Sequence, residues 1–346
     1  MTDAASGDLL PFLSPNSLVV QESPAAPALR QQIAEACHAW LMRSPSRDTR
    51  TNYSRDLRQF LQFTGVPVDR PESLATIRPH QVAAWRDRLR EAGLTNSSIR
   101  RKMTVLRSLY SYLQTYGYVG ANPAHSDFVA APSVSRDGKT VGLSPDACRR
   151  LLDAPQTTVR KRGAATDVPS PAGVRDRALL AVLAYTGCRV GELTRLKVGG
   201  YKQNGVHRVL EIMGKGGKER LVPLHPEAAE RVEAWLNTAG IRDDLSGPLF
   251  RPATTARGHG CKGFAPRPLT RRAVQKLVES FVALLKLDPN VTVHSLRVTA
   301  LTTAREGGSD IIDLQDFAGH ADPRTTLTYI RTRDRLSKSP AYVLKY

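Results

Sequence analysis

The chain has 346 residues, of which 41% are hydrophobic, so it is long enough for two domains that each bury a core. Lys and Arg number 50 against 32 Asp and Glu, which gives a formal charge of +18. No apolar run approaches the roughly 20 residues of a membrane-spanning helix, which excludes that class, and the charge indicates a polyanionic partner, although a solvated basic surface would give the same count.

The charge is distributed over two segments. Residues 1–29 contain no Lys or Arg and are rich in Pro, Ala and Ser, which is typical of a disordered lead-in. Residues 30–125 carry 15 basic and 7 acidic residues, and residues 126–346 carry 35 and 22. Two basic segments suit a nucleic acid that is gripped from two sides.

Helical spacing of apolar residues predicts a four-helix unit after the lead-in. The first two helices run from Ala28 to Arg43 and from Ser46 to Thr64. Pro79 is placed to start the third helix. Thr95 is placed to cap a long fourth helix, which Gly117 ends.

The second half of the chain mixes helices with a hairpin. Ser144 and Pro145 predict a helix start, residues 155–173 predict a surface loop, and a helix is predicted over 174–186. Strands are predicted over 206–213 and 219–224 around a Gly-rich turn. Further helices are predicted at 226–239, 270–286, 294–306 and 310–318, and in a last segment that contains Tyr329.

This pattern predicts a mainly α protein with a small antiparallel sheet. Its expected parts are a lead-in, a helical domain, a linker and an α+β domain, over residues 1–29, 30–125, 126–142 and 143–346. The four cysteines have neither zinc nor disulfide spacing, and we expect reduced thiols in a cytoplasmic protein.

Four short islands in the second half carry reactive side chains. They are Tyr185-Thr186-Gly187-Cys188-Arg189-Val190-Gly191-Glu192-Leu193, Gly214-Lys215-Gly216-Gly217-Lys218-Glu219-Arg220, His294-Ser295-Leu296-Arg297, and Gly319-His320 followed nine residues later by Tyr329. Arginines can donate paired hydrogen bonds to a phosphate, and a tyrosine hydroxyl can act as a nucleophile. No cluster of carboxylates suggests a magnesium site, so we expect phosphoryl transfer without metal or cofactor.

Each of these residues, taken alone, also has an ordinary explanation. Arg189 and Glu192 could be surface charges, and Lys215 could be a solvated lysine in a turn whose glycine spacing does not match a Walker A loop. His294 and His320 could be structural histidines or metal ligands, although no third ligand has suitable spacing. A single tyrosine is more often part of an amphipathic core.

The order and spacing of the whole set resemble the tyrosine recombinase (phage integrase) family, with the two-domain layout of its Xer-like members. The resemblance covers roughly residues 30–335 and includes Thr49, Tyr53, Asp56, Leu57 and Phe60 of an early helix, with Asn122-Pro123 after the fourth. It implies a helical SAM-like core-binding domain followed by a catalytic domain. The implied activity is site-specific recombination for a mobile element or for replicon resolution.

The resemblance also implies a role for each catalytic candidate. Tyr329 would attack a DNA phosphodiester to form a 3′-phosphotyrosine, and the 5′-hydroxyl of a partner duplex would reverse that step without ATP. The activating set is expected to be Arg189, Lys215, His294, Arg297 and His320, with Glu192 as supporting acid. Within it, Lys215 is the expected general acid and Lys218 the second choice.

The expected partner is double-stranded DNA with paired half-sites, bound by a homotetramer at the nucleoid. Accessory DNA-bending or directionality proteins form a further partner class, and no membrane partner is expected. Residues 336–346 are expected to pack on a neighbouring protomer. The expected DNA contacts of the first domain are Arg47, Arg50, Arg58, Arg100, Arg101, Lys102 and Arg107.

Two other functions stay open from the sequence. A type IB topoisomerase-like enzyme would use similar chemistry but would reseal the same strand as a monomer. A catalytically inactive DNA-binding accessory protein would keep the fold and lose the cleavage step.

Overall fold

The computed structural model describes residues 25–67, 69–134, 140–159, 168–214, 217–255 and 261–330. The chain divides into two compact units, 1–135 and 136–346, each with its own core. Most of the predicted lead-in, part of the predicted linker and residues 336–346 lie outside the described residues. Within those ranges, no helix has both the length and the apolar character needed to cross a bilayer.

The first unit contains the four predicted helices and a short 3-10 helix. Ser46 and Thr95 cap the second and fourth helices, because their side chains accept hydrogen bonds from backbone N–H groups three residues later. Gly65 ends the second helix with a left-handed φ of 68°. The elements are α1 (Ala25–Met42), α2 (Arg47–Thr64), the 3-10 helix Pro71–Thr76, α3 (Pro79–Glu91) and α4 (Asn96–Thr115).

An acidic side chain is buried inside this first unit. Asp56 on α2 accepts hydrogen bonds from Lys102 Nζ at 2.7 Å and from the guanidinium of Arg101, both on α4. The side chains of Asp56 and Lys102 are 2% and 7% exposed. The ion pair therefore joins α2 to α4 within the core, where the charge of one partner offsets the burial cost of the other.

The second unit is built around the helix Pro171–Thr186, which is packed on all sides and contacts the helix Pro226–Ala239. The elements are α5 (Pro145–Asp153), β1 (Thr158–Val159), β2 (Val168–Pro169), α6 (Pro171–Thr186), α7 (Val190–Leu193), the 3-10 helix Val198–Gly200, β3 (Tyr201–Asn204), β4 (His207–Met213), β5 (Glu219–Pro223), α8 (Pro226–Ala239), β6 (Ala253–Thr255), β7 (Cys261–Phe264), α9 (Arg271–Leu284), α10 (Val293–Glu306), α11 (Ile311–Ala318) and α12 (Pro323–Ile330).

The sheet and one loop differ from the sequence prediction. β3, β4 and β5 form an antiparallel sheet in that order, and β3 was not predicted because Tyr-Lys-Gln-Asn has no alternating apolar pattern. The surface loop predicted over 155–173 ends too late, because α6 already begins at Pro171, and β1 pairs with β2 within it. Ser170 caps that earlier start by accepting from the N–H of Gly173.

The buried ion pair gives the first prediction. Asp56→Leu leaves the Lys102 ammonium buried without its counter-ion, and we expect a loss of about 3–5 kcal/mol in the free energy of unfolding. The double variant Asp56→Leu/Lys102→Met removes both charges and should recover most of that loss. Urea unfolding of the two proteins checks this, and a double variant no more stable than Asp56→Leu would contradict it.

Candidate active site

The carboxyl end of α6 sets the position of Arg189. Residues 178–183 of this helix are at most 1% exposed, so the surrounding core holds it rigidly. The helix ends at Gly187, whose φ of 56° is left-handed. Arg189 then caps the short helix α7, and its backbone N–H donates to the Glu192 carboxylate at 3.0 Å.

Glu192 is a buried carboxylate that two arginines share. Its side chain is 3% exposed and accepts from Arg189 Nη1 at 2.8 Å and from Arg220 Nη2 at 2.9 Å. Burial alone would raise its pKa, but the hydrogen bonds from Arg220 and Arg189 outweigh that effect and lower the pKa below its usual value. Glu192 is therefore ionised and orients both guanidinium groups.

Arg220 is a site residue to which the sequence prediction assigned no role. It lies on β5, and its Nε donates to the carbonyl of Phe317 at 3.3 Å while Nη2 binds Glu192. The signal was present, because Arg220 is the last residue of the Gly-rich island that contains Lys215. Its contacts join the β-sheet to the end of α11.

Arg297 on α10 lies at the centre of the arrangement, with 1% of its surface exposed. Its Nη1 donates to the carbonyl of Gly187, and its Nη2 donates to the carbonyl of Ala318 at 2.6 Å. The same Nη2 lies 2.6 Å from Nε2 of His320. One guanidinium therefore joins three segments that are far apart in sequence.

His320 is buried beside these cations. Burial, followed by the positive charges of Arg297, Arg189 and Arg220, lowers its pKa to about 4. The imidazole is therefore neutral near pH 7 and has one donor and one acceptor nitrogen. Its Nδ1 lies 2.9 Å from the hydroxyl oxygen of Thr326 on α12, and the sequence prediction assigned that residue no role.

Gly319 allows Arg220 to approach the end of α11. It ends that helix with a φ of 60°, a conformation that favours glycine. A methyl group at this position would lie 2.7 Å from Arg220 Nη1 and 3.0 Å from its Cζ. The close approach of Arg220 therefore explains why a glycine precedes His320 in the fourth island.

The structure describes only part of the remaining catalytic candidates, which are His294, Lys215, Lys218 and Tyr329. His294 lies on the first turn of α10, and part of its side chain is exposed. Neighbouring residues shield the rest from water, and this partial burial, followed by the charges of Arg297 and Arg189, lowers its pKa. Lys215 lies outside the described residues, whereas Lys218 is exposed and its carbonyl accepts from the N–H of Gly214 at 2.7 Å. The backbone of Tyr329 belongs to α12, and its side chain lies outside the description.

Two further cations border α7. A methyl group on Gly191 would lie 3.3 Å from Arg271 Nε and 3.9 Å from Arg195 Nη1, so both side chains pass close to the helix that Arg189 caps. Both residues are exposed, and Arg195 Nη2 also donates to the carbonyl of Met213 at 3.0 Å. The sequence prediction did not include Arg195 or Arg271, because both residues lie outside the four islands.

The basic residues predicted to contact DNA in the first unit divide into two groups. Arg47, Arg100 and Arg101 are exposed, and Arg50 and Arg58 are half-buried. Lys102 is buried against Asp56, and Arg107 donates to the backbone carbonyls of Ala124 and Val129. The contacts of Lys102 and Arg107 give both residues a structural role inside the unit.

Taken together, the second unit places three guanidinium groups, a neutral imidazole and one ionised carboxylate in two sets of hydrogen bonds, one around Glu192 and one between Arg297 and His320. Guanidinium groups match the oxygens of a phosphate in charge and geometry, and partial burial strengthens such contacts. In the described ranges, no three His, Cys, Asp or Glu side chains come together as a metal-binding group. This arrangement is suited to stabilising a phosphate whose negative charge increases during reaction.

Comparison with known proteins identifies the family. The model of the phage integrase family matches residues 142–335, and the model of its N-terminal SAM-like domain matches residues 38–117. This chain belongs to the phage integrase family. The tyrosine recombinase XerC of Pelobacter propionicus is 32% identical over 313 residues, which cover 90% of this chain and 93% of the relative. The tyrosine recombinase XerD of Listeria innocua is 29% identical, over 82% and 88%.

Solved structures of phage-integrase-type proteins have the same fold. A XerH site-specific recombinase bound to palindromic difH substrate has a TM-score of 0.59 at 19% identity and covers 92% of this chain and 89% of its own. A lambda integrase tetramer bound to a Holliday junction has a TM-score of 0.58 at 18% identity, over 88% and 82%. The predicted architecture, a SAM-like helical domain followed by a mainly helical catalytic domain with a small sheet, is confirmed.

The approach of Arg220 to Gly319 gives a prediction for this phage integrase family member. Gly319→Ala should lower the free energy of unfolding by about 1 kcal/mol, because alanine disfavours the left-handed backbone at this position. It should lower it further because the added methyl group displaces Arg220 from Glu192. Gly240→Ala is the matched control, because Gly240 ends α8 with a φ of 61° and has nothing within 4 Å of an added methyl group. Urea unfolding should show the larger loss for Gly319→Ala, and equal losses would contradict the contact.

The pKa of His320 predicts how stability depends on pH. In the unfolded chain a histidine takes up a proton near pH 6.5, whereas folded His320 does so only near pH 4. The unfolded state therefore binds more protons in this window, and the free energy of unfolding should fall as pH falls from about 6.5 to 4.

His320→Gln should remove this part of the dependence, up to about 1.4 kcal/mol per pH unit. The slope of unfolding free energy against pH, measured by urea unfolding between pH 6.5 and 4.5, checks it. His207→Asn, at an exposed position of β4, serves as the control substitution. Equal slopes for wild type and His320→Gln would show that His320 is not held neutral.

Proposed function

We propose that this chain cuts and rejoins DNA at specific sites through a 3′-phosphotyrosine on Tyr329. The observation that carries the proposal is the position of Arg297. Its guanidinium donates to the carbonyl of Gly187, two residues before Arg189, and to the carbonyl of Ala318, two residues before His320. Three of the four reactive islands therefore meet at one buried group, and α12 with Tyr329 begins just beyond them.

The charges around Glu192 would hold the DNA phosphate. Arg189 keeps 41% of its side chain exposed while Glu192 fixes one edge of its guanidinium. A guanidinium has five N–H donors, so an oriented Arg189 can still donate to a phosphate. With Arg297 it would neutralise the charge that develops on the non-bridging oxygens, and Glu192 would keep the geometry in place.

The proposed step exchanges one phosphoester for another. The hydroxyl oxygen of Tyr329 forms a bond to phosphorus, and the bond from phosphorus to the 5′-oxygen breaks. Lys215, or in second place Lys218, gives a proton to the departing 5′-oxygen. The phenolic proton passes to one of the two active-site histidines, His294 or His320, which are neutral near pH 7 because burial and the neighbouring arginines lower their pKa values. Attack by a 5′-hydroxyl reverses these transfers and reseals the strand.

The proposed partner is double-stranded DNA that carries two half-sites. Strand exchange between two duplexes requires four cleavages, so four protomers would act together on the DNA. In the first unit, the exposed or half-buried arginines would contact backbone phosphates, as would Arg195 and Arg271 beside α7. Such an enzyme would work at the nucleoid, and accessory DNA-bending or directionality proteins would set the direction of exchange.

The two alternative functions have less support. A type IB topoisomerase-like enzyme would relax supercoiled DNA as a monomer and would not resolve a synthetic Holliday junction. An inactive accessory protein has no need for two arginines held by one buried carboxylate or for a neutral buried imidazole beside them. Similarity to XerC along nine-tenths of the chain also favours recombination.

Removal of one oxygen atom tests the proposal. Tyr329→Phe should abolish the covalent protein–DNA adduct, because only the nucleophile is lost, and should leave half-site binding unchanged. The adduct is detected as a band that survives denaturing gel electrophoresis. The wild-type adduct should also form in excess EDTA, since arginine side chains supply the positive charge.

The substrate for this test is DNA from the region flanking the gene, where an attachment site or inverted repeats are expected. A Tyr329→Phe protein that still gives the adduct would show that another residue is the nucleophile, with Tyr342 the next candidate. Loss of half-site binding in the same variant would point to a folding defect, which circular dichroism would reveal.

A further inference from the structure

We infer that Thr326 is a positioning residue of the active site, whose hydroxyl accepts from Nδ1 of His320, holds the imidazole against Arg297 and fixes the position of the helix that carries Tyr329. The inference rests on the proposed function for its catalytic consequence. The contact itself is structural: Nδ1 of His320 lies 2.9 Å from Oγ1 of Thr326, and the Thr326 side chain is fully buried.

The direction of each hydrogen bond follows from the donors. An arginine side chain has N–H groups and no acceptor, so Nε2 of His320 must accept from Arg297 Nη2 across 2.6 Å. A neutral imidazole that accepts at Nε2 carries its proton on Nδ1. That N–H donates to the hydroxyl oxygen of Thr326. Arg297 therefore donates to His320, and His320 donates to Thr326 on α12.

The contact also fixes the position of α12 relative to His320. Among residues 323–327, whose side chains the structure describes, Thr326 alone is buried, whereas Pro323, Arg324 and Thr325 are exposed and Leu327 is half-buried. Within residues 323–327, the most buried side chain thus makes a directional hydrogen bond. Position 329 lies three residues after Thr326, so both positions are on the same side of the helix.

Loss of the hydroxyl would have a specific effect on His320. Its Nδ1–H would lose this acceptor, and a shift of the proton to Nε2 would place two donors, Nε2–H and Arg297 Nη2, 2.6 Å apart. The imidazole would then turn away from Arg297, and α12 would lose its directional contact. Both changes would affect the chemical step more than the binding of DNA, because the phosphate contacts of the exposed arginines are unchanged.

The test compares adjacent threonines in the full-length protein. Thr326→Val removes the buried hydroxyl, Thr326→Ser retains it, and Thr325→Val makes the same change at the exposed neighbour on the same helix. The rate of covalent adduct formation on a nicked half-site that traps the adduct is measured beside the half-site Kd. We expect Thr326→Val to be slower by about 10–100-fold with an unchanged Kd, by analogy with other residues that orient a reactive histidine.

Thr326→Ser should recover most of the rate, and Thr325→Val should cleave as fast as wild type. The second readout is the ¹⁵N NMR spectrum of histidine-labelled protein, which reports the protonated ring nitrogen of His320 without any cleavage. Wild type, Thr325→Val and Thr326→Ser should be protonated on Nδ1, and Thr326→Val should shift toward Nε2.

The proposal is overturned if wild-type His320 is protonated on Nε2, a result that needs no variant to fold. It is also overturned if Thr326→Val cleaves at the wild-type rate, or if Thr326→Ser, folded by circular dichroism, is as slow as Thr326→Val. Absence of any adduct from wild-type protein on its flanking-gene site would count against the recombinase proposal instead, and the NMR result would still decide the contact between Thr326 and His320.

Discussion

A single buried cation joins the helix ends that form the active site. The guanidinium of Arg297 is almost completely shielded from water, and such burial is tolerated only when its N–H groups find acceptors. Two of those acceptors are carbonyls at the carboxyl ends of α6 and α11, where helices carry partial negative charge. The cation thus joins two helix ends, and Arg189 and His320 each lie two residues beyond the accepting carbonyl.

Glu192 is the centre of a second set of hydrogen bonds beside Arg297. It accepts from Arg189 and Arg220, so one negative charge holds two positive groups at a separation their mutual repulsion would otherwise increase. Arg220 in turn reaches Phe317 across the bare backbone of Gly319. The reactive islands are therefore not independent contributions to a pocket: each is held by a residue of another island, and removal of one partner changes the geometry of the rest.

Local signals predicted much of the fold, and tertiary contacts account for the rest. The caps at Ser46, Thr95 and Ser144 were predictable because a side-chain oxygen before a helix satisfies an N–H group that the helix leaves open. The reactive islands were predictable from their order. Arg220 lies within an island, but its role depends on Glu192 and Phe317, which are 28 and 97 residues away. The role of Thr326 depends on a buried contact with His320 that no spacing encodes.

Lys102 shows that a local signal can also be overlooked. It lies on the stripe of α4 formed by Ile99, Met103 and Leu106, all of which are buried, and that spacing points its side chain into the core.

The burial of Lys102 affects the release of counterions. Binding to DNA releases one condensed cation for roughly each phosphate neutralised, and only cations that can reach the duplex contribute. Lys102 and Arg107 are held inside the unit and Arg101 is partly compensated by Asp56, so a duplex bound to the first unit would meet less positive charge than the count of its basic residues implies.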